Sequence, residues 1–266
     1  MTRTTRLRLG FMPAALLAMA VLLAVPARAQ PAPAAGSTPT DFPATLAIPA
    51  FKMHYQVLRN GWHIGAADFI LERDGDAWHF HSKAWPTGFA SWFVDTTFTE
   101  SSRFEIVDHR IRPIKYSYTD SGSPSHNERI RFDWSADTAR DREGKSHVTA
   151  VPIEPGMLDR LSAQLRISRQ LAAGVPLEEP FRIVHGGAVS LYRLERVKTG
   201  TVSTPAGTFE TVLVVRRDPD SRRENRFWLA PKYAWLPVKM QQFEPGDATY
   251  TFTLDHLKWL AAETNR

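Results

Sequence analysis

No cysteine occurs anywhere in the 266 residues. That absence excludes disulfides, a zinc site built on thiolates, a thiol nucleophile and an N-terminal cysteine carrying lipid. A chain this long can bury an adequate apolar core without cross-links. Net charge is also nearly missing. Of 33 Lys+Arg, four (Arg3, Arg6, Arg8 and Arg28) fall within the first 29 residues, leaving 29 basic against 28 acidic residues beyond them. So even a balance gives no electrostatic footprint for nucleic acid. Motifs of nucleophilic catalysis are lacking too: there is no Gly-x-Ser-x-Gly and no Ser-x-x-Lys. The run Ser121-Gly122-Ser123-Pro124-Ser125-His126 reads as a hairpin loop, because a catalytic triad is assembled from distant positions. Glu178-Glu179, just before Pro180, reads as a solvated connection. Gly186-Gly187 precedes the strand-like AVSLYRLERV, not the helix a phosphate loop needs, and reads as a two-glycine hairpin. No catalytic residue and no cofactor is expected.

What is present begins with a leader. Three arginines precede an apolar run from Leu9 to Val25, interrupted by Gly10 and Pro13; Pro26 then leads into Ala27-Arg28-Ala29. This is the pattern of a cleavable export signal, expected over residues 1–29 with cleavage near Ala29, and it places the mature chain in the periplasm or outside the cell. No transmembrane segment is expected after cleavage. Residues 30–47 are rich in Pro, Ala, Ser and Thr and read as a disordered linker. A single β-rich domain is expected over 48–261, with a short tail at 262–266.

Period-two alternation dominates that domain. Ile114, Tyr116 and Tyr118 alternate with Lys115, Ser117 and Thr119; Ile130, Phe132 and Trp134 with Arg129, Arg131 and Asp133; Tyr250, Phe252 and Leu254 with Thr249, Thr251 and Thr253. Turn residues fall between these runs at Asn60-Gly61, Asp74 to Asp76, Asp108-His109, Asp120 to Pro124, Arg142 to Gly144, Pro205 to Gly207 and Pro245 to Asp247. Only Met157 to about 173 carries helical spacing, with Leu158, Leu161, Leu165 and Leu171 on one stripe and Arg160, Arg166 and Arg169 elsewhere around the turn. The expected fold is mainly β: a strongly curved antiparallel sheet, an incomplete barrel, with one amphipathic helix packed on its concave side.

Several segments in this order resemble the exported bacterial family known as domain of unknown function 3108 (DUF3108): YQVLRNGWHIGAADFILERDG, HRIRPIKYSY, GMLDRLSAQLRI, VSTPAGTFETVLVV and FWLAPKYAWLPVKM. The resemblance spans nearly the whole folded part and implies an exported, β-rich protein without an established activity. The last segment is also similar, at the level of fold, to the half-barrels of periplasmic lipoprotein carriers, which hold acyl chains in an apolar concavity.

Two aromatic concentrations are candidate ligand contacts. Trp85, Phe89, Trp92 and Phe93 lie in an irregular stretch containing Pro86 and Gly88, and Trp228, Tyr233 and Trp235 flank a turn. Core packing is the competing reading for both. His79 and His81, two apart on a strand, share a face and are weak candidates for metal, with His54 or His63 as a third ligand; ordinary half-exposed strand histidines are the favoured reading. The cluster Arg216, Arg217, Arg222, Arg223 and Arg226 is diluted by Asp218, Asp220 and Glu224 and reads as a solvated hairpin tip. The functional expectation is a non-catalytic envelope protein binding a lipid, acyl chain or lipoprotein segment in an apolar groove. The alternatives are an interaction or scaffold module in envelope or polysaccharide assembly, recognised by an exposed aromatic patch, and a metal-dependent hydrolase.

Overall fold

The computed structural model describes residues 49–144, 147–217, 223–243 and 246–261. The expected leader, linker and tail lie outside the described residues. Eight strands come first: β1 (Phe51–Arg59), β2 (Trp62–Asp74), β3 (Ala77–Pro86), β4 (Phe98–Val107), β5 (Arg110–Asp120), β6 (Glu128–Asp133), β7 (Thr138–Glu143) and β8 (His147–Pro152). The helix α1 (Arg160–Ala172) and a hairpin of β9 (Phe181–His185) and β10 (Ala188–Tyr192) follow. The chain then returns through β11 (Leu194–Thr204), β12 (Gly207–Arg217), β13 (Glu224–Ala230), β14 (Leu236–Phe243) and β15 (Tyr250–Trp259).

Thirteen strands form one sheet in the order β11-β12-β13-β14-β15-β1-β2-β3-β4-β5-β6-β7-β8, every neighbouring pair antiparallel. All neighbours are consecutive in sequence except β15 and β1, which join the two meanders into one ribbon. The edges β11 and β8 do not pair, so the sheet is not closed into a barrel.

The turns follow their residues. Asn60 and Gly61 (φ 49° and 86°) and Asp108 and His109 (φ 48° and 61°) all take the positive φ of tight hairpins. One face of the sheet is apolar and buried, with Tyr55, Phe69, Leu71, Phe80, Phe104 and Ile130 among the side chains that fill it. Close packing extends to the backbone at Gly65, where a Cβ would stand 2.5 Å from the Trp85 carbonyl oxygen of β3. Gly65→Ala is therefore expected to cost about 1–3 kcal/mol by forcing the β2–β3 ladder apart, read as a lower urea midpoint with an unchanged slope.

The helix departs from expectation in an informative way. It starts at Arg160, three residues after the predicted Met157, because Asp159 caps it: Asp159 Oδ1 accepts from the N–H groups of Leu161 (2.9 Å) and Ser162 (2.8 Å), and the Asp159 N–H donates to Ser162 Oγ. Arg160 and Arg169, predicted on a face apart from the apolar stripe, are buried with it. Arg169 donates to the His109 carbonyl and Ser168 Oγ to the Trp235 carbonyl, while Leu158 bridges to Ile183 of β9. The helix is buried on nearly every side because protein, and not water, surrounds it.

Candidate functional site

Alternation along four adjacent strands sends acidic side chains into the interior. Glu100 keeps the inward phase of Phe98, Ser102 and Phe104 on β4; Tyr116 and Tyr118 point the same way from β5, Glu128 does so with Ile130 and Phe132 on β6, and Asp141 with Ala139 on β7. The first residue of α1 meets them. Arg160 donates through Nε and Nη2 to Tyr116 Oη (2.9 and 2.7 Å), stands 3.2 Å from Glu128 Oε2 and 3.7 Å from Glu100 Oε1, and lies over the Tyr118 ring. Tyr116 Oη donates to Glu100 Oε1 (2.5 Å). From the other side the β9–β10 turn contributes His185 Nδ1, which donates to Glu128 (2.8 and 3.0 Å), and the N–H groups of Gly186 and Gly187, which donate to Glu128 (2.9 Å) and Asp141 (2.8 Å). The predicted two-glycine hairpin is there, φ 62° and 70°, and its amides serve buried carboxylates.

The electrostatics follow from who faces whom. Burial pushes Glu100 up to about 7, against the pull of Arg160 and the Tyr116 hydrogen bond. Burial opposes ionisation of Glu128 as well, but Arg160, His185 and the Gly186 amide outweigh it and bring Glu128 down to about 2. Asp141, buried and beside the Glu128 charge, rises to about 7. Asp159 rises to about 6, burial winning over its hydrogen bonds. Burial would lower Arg160, yet Tyr116, Glu128 and Glu100 hold it above its ordinary value. These groups fasten the helix start, four strands and a hairpin to one another. Sequence reading missed this cluster. Its available signal was an acidic residue in the phase of the apolar ones, Glu128 two before Ile130 and Glu100 two after Phe98.

Glu100 and Tyr118 also border a small cleft with Ala67, Phe69, Ser82, Lys83, Ala84, Phe98 and Thr99. Its enclosed space is about 10 Å3, about one water molecule's worth and far below the roughly 300 Å3 at which pockets begin to enclose a small molecule.

The aromatic candidates separate into two groups at opposite ends of the sheet. The pairs Arg59↔Trp62, Gly65↔Pro86, Arg59↔Tyr250, Gln242↔Tyr250 and Glu224↔Phe243 put the β1–β2 turn and the segment after β3 at one end, and the β13–β14 turn at the other. At the first end a 3-10 turn, Gly88–Trp92, runs beside the start of β2, tied by the Thr87 N–H to the Ile64 carbonyl (3.1 Å). Phe89, Trp92 and Phe93 cluster there, ring centroids 5.5 Å apart for Phe89–Trp92 and 4.9 Å for Phe89–Phe93. They are 71, 78 and 69 % exposed, and Trp62, which the sequence did not single out, begins the adjoining strand at 79 %. Trp85 instead lies half-buried on the outer face of β3, near His54 and Lys83. At the far end Trp228 and Trp235 pack partly against the core, with Lys239 over the Trp228 ring, and Tyr233 meets Phe209 edge to face.

The remaining candidates fall as follows. His79 and His81 share the outer face of β3, but the third group beside them is Glu72 of β2, not His54 or His63; His54 Nδ1 is bound to Asp68 (2.6 Å) and His63 is exposed. Arg216 is not on a solvated tip: its guanidinium is buried over the Tyr192 ring (3.9 Å). Arg217 pairs with Glu195 and Glu224, and Arg226 with Glu224; Asp218, Asp220 and Arg222 lie outside the described residues. Glu178 and Glu179 are exposed, as their solvated reading requires. Among the described residues no helix is long and apolar enough to cross a membrane.

Residues 50–254 match the family model described as protein of unknown function, DUF3108. No curated protein matches the chain. Among solved structures, it is similar to the beta-barrel-like protein of domain of unknown function DUF1849 from Brucella abortus, at 7 % identity and TM-score 0.49, covering 80 % of this chain and 99 % of that one. A presumed lipoprotein from Parabacteroides distasonis gives 11 % identity and TM-score 0.33 over 79 and 96 % of the two chains. A presumed exported protein with a YmcC-like fold from Bacteroides fragilis gives 12 % and 0.29 over 79 and 94 %.

Proposed function

The chain belongs to the DUF3108 family of proteins of unknown function, and from this premise we propose that it is an exported, non-catalytic envelope protein that docks to a membrane surface through its aromatic tip. One observation carries the reading: Phe89, Trp92 and Phe93, about 70–80 % exposed, cluster at one end of the sheet, where Trp62, 79 % exposed, begins β2. Single exposed apolar residues are ordinary, but three large exposed aromatics in mutual contact are not. The stretch from Trp85 to Val94 carries no charge. Tryptophan and phenylalanine on an uncharged turn suit the boundary between headgroups and acyl chains, where a projecting apolar tip finds a soft complement and not a preformed pocket. Lipid is thus met at the surface, and the small interior cleft needs to hold none of it. The leader supports the compartment, since an exported protein faces membrane on its way and at its destination.

Cosedimentation of the mature protein with phosphatidylethanolamine–phosphatidylglycerol vesicles tests the reading. The wild-type protein is expected to sediment with them, with a blue shift of tryptophan emission. Trp92→Ala/Phe93→Ala is expected to weaken partitioning at least about tenfold, since each buried aromatic contributes roughly 1.5–3 kcal/mol. Its unfolding midpoint should not change, because neither side chain is part of the core. Wild-type protein that stays in the supernatant, or a variant that binds equally well, overturns the proposal and leaves a protein partner as the occupant to seek.

A further inference from the structure

The outer face of β2 and β3 carries a second feature, independent of the aromatic tip. Glu72 pairs directly with His79 across the two strands, and His81 follows two residues later, so strand geometry alone places three donor side chains on one face. Their ligating atoms all lie within 4.8 Å of one another: Glu72 Oε1 is 3.7 Å from His79 Nδ1 and 3.8 Å from His81 Nδ1. Two ligands at about 2.1 Å on a tetrahedral ion stand roughly 3.4 Å apart, so the two Glu72 spacings need a shift of a few tenths of an ångström, and the two imidazole nitrogens, within 4.8 Å of each other, close by side-chain rotation. The imidazole rings lie 4.6 Å apart and 32° from parallel, one beside the other along the strand.

The hydrogen bonding prepares the nitrogens. His79 Nε2 is 2.8 Å from Ser101 Oγ of β4. With the proton on Nε2 donated to Ser101, the lone pair of His79 stands on Nδ1, toward Glu72. This outer partner orients the ring, as such partners do in known metal sites. His81 Nδ1 is shielded from solvent yet makes no hydrogen bond, 3.8 Å from Glu72 Oε1. Arg103, opposite His79 on β4, would repel a cation, but its guanidinium is drawn away to Asp74 Oδ2 (2.6 Å). All three side chains keep part of their surface open to solvent, which leaves an ion a way in.

We propose that Glu72, His79 and His81 form a binding site for a divalent late first-row transition-metal ion, of which Zn2+ is the reference case. Two imidazoles and one carboxylate favour this class over Ca2+ or Mg2+, which take oxygen ligands. Three protein ligands leave the fourth position of a tetrahedral ion to water or to a donor from a partner.

The test is calorimetric titration of untagged, chelator-stripped protein with ZnCl2, repeated with CuCl2, at pH 7.5. One equivalent is expected to bind, more tightly for Cu2+. His81→Ala and His79→Ala should each weaken binding about a hundredfold or abolish it, and Ser101→Ala by about tenfold through lost orientation of His79. His54→Ala should leave affinity unchanged, since that ring is committed to Asp68. Affinity should fall in acid, where protons compete with the metal ion for the ligand lone pairs. No heat of binding in the wild type, or binding that survives His81→Ala unchanged, overturns the assignment.

Discussion

Arg160→Met should lower the unfolding free energy by about 3–5 kcal/mol at pH 7.5, the largest loss expected of any single substitution in the described residues. Arg160 sits at the first turn of α1, where the helix dipole disfavours a cation, and is held there by Glu100, Glu128 and the Tyr116 hydroxyl. Methionine fills a similar volume but leaves the Glu128 carboxylate and the Tyr116–Glu100 pair buried without their counterion. The loss should shrink at pH 5, because the carboxyl groups, freed of the guanidinium, take up protons and cease to be buried charges. Urea titrations at both pH values measure this. A loss under about 1 kcal/mol at pH 7.5 would mean that water reaches the cluster and that it does not clamp the helix.

The second large effect is a stability that declines as pH rises from acid toward neutral, contrary to the habit of proteins stabilised by surface ion pairs. Glu100 and Asp141, up to about 7, and Asp159, up to about 6, hold protons in the folded state that the unfolded chain releases near pH 4. Where the folded state binds more protons, unfolding becomes easier with each unit of pH, by at most about 1.4 kcal/mol per group. The decline should therefore run from about pH 4.5 to about pH 7 and level off above. Glu128, brought down to about 2, works the other way: its contribution is present above the unfolded value and is lost as pH falls through the acid range to about 2. The optimum is then expected near pH 4–5, with stability lower by several kcal/mol at pH 8. Urea midpoints across pH 4 to 8 show the slope directly, and Glu100→Gln, which cannot ionise, should flatten it. A midpoint that climbs between pH 5 and pH 8 would contradict the buried-acid account.

Both effects arise from side chains whose meaning was only half visible in the sequence. Arg160 was read with Arg166 and Arg169 as lying apart from the apolar stripe, because a charge at helical spacing is solvated by default. Nothing within thirteen residues of Arg160 reveals that Glu100 and Glu128 wait for it, since both reach it across the sheet. The phase of Glu128 was legible: it stands where the alternation of Ile130 and Phe132 demands an inward residue. The same holds for Asp141 beside Ala139. An acid in an apolar phase marks a partner without naming it.

The aromatic stretch shows the same division. Its irregularity and its four rings were plain, and the competing roles of core and surface were both admissible from composition. Exposure separated Phe89, Trp92 and Phe93 from Trp85, and strand register parted all of them from Trp228, Tyr233 and Trp235. His79 and His81 were correctly paired by period two, yet their third companion was sought among histidines. Cross-strand register supplied Glu72 instead, because which residue lies opposite depends on the length of the Asp74–Gly75 turn and not on residue type.

The sequence by itself determined what depends on near neighbours: antiparallel strands from period two, hairpins from Asn60-Gly61 and Gly186-Gly187, one helix from spacing, and an expected export leader from charge, apolar run and cleavage pattern. Tertiary structure alone decided that β15 closes on β1, that the sheet stays open at β11 and β8, that the helix is enclosed, and that four strands, a helix start and a hairpin turn surround one guanidinium. The reason is physical. Backbone periodicity and turn geometry are set by a few consecutive residues, whereas burial of a charge depends on what the rest of the chain brings to it from dozens of residues away.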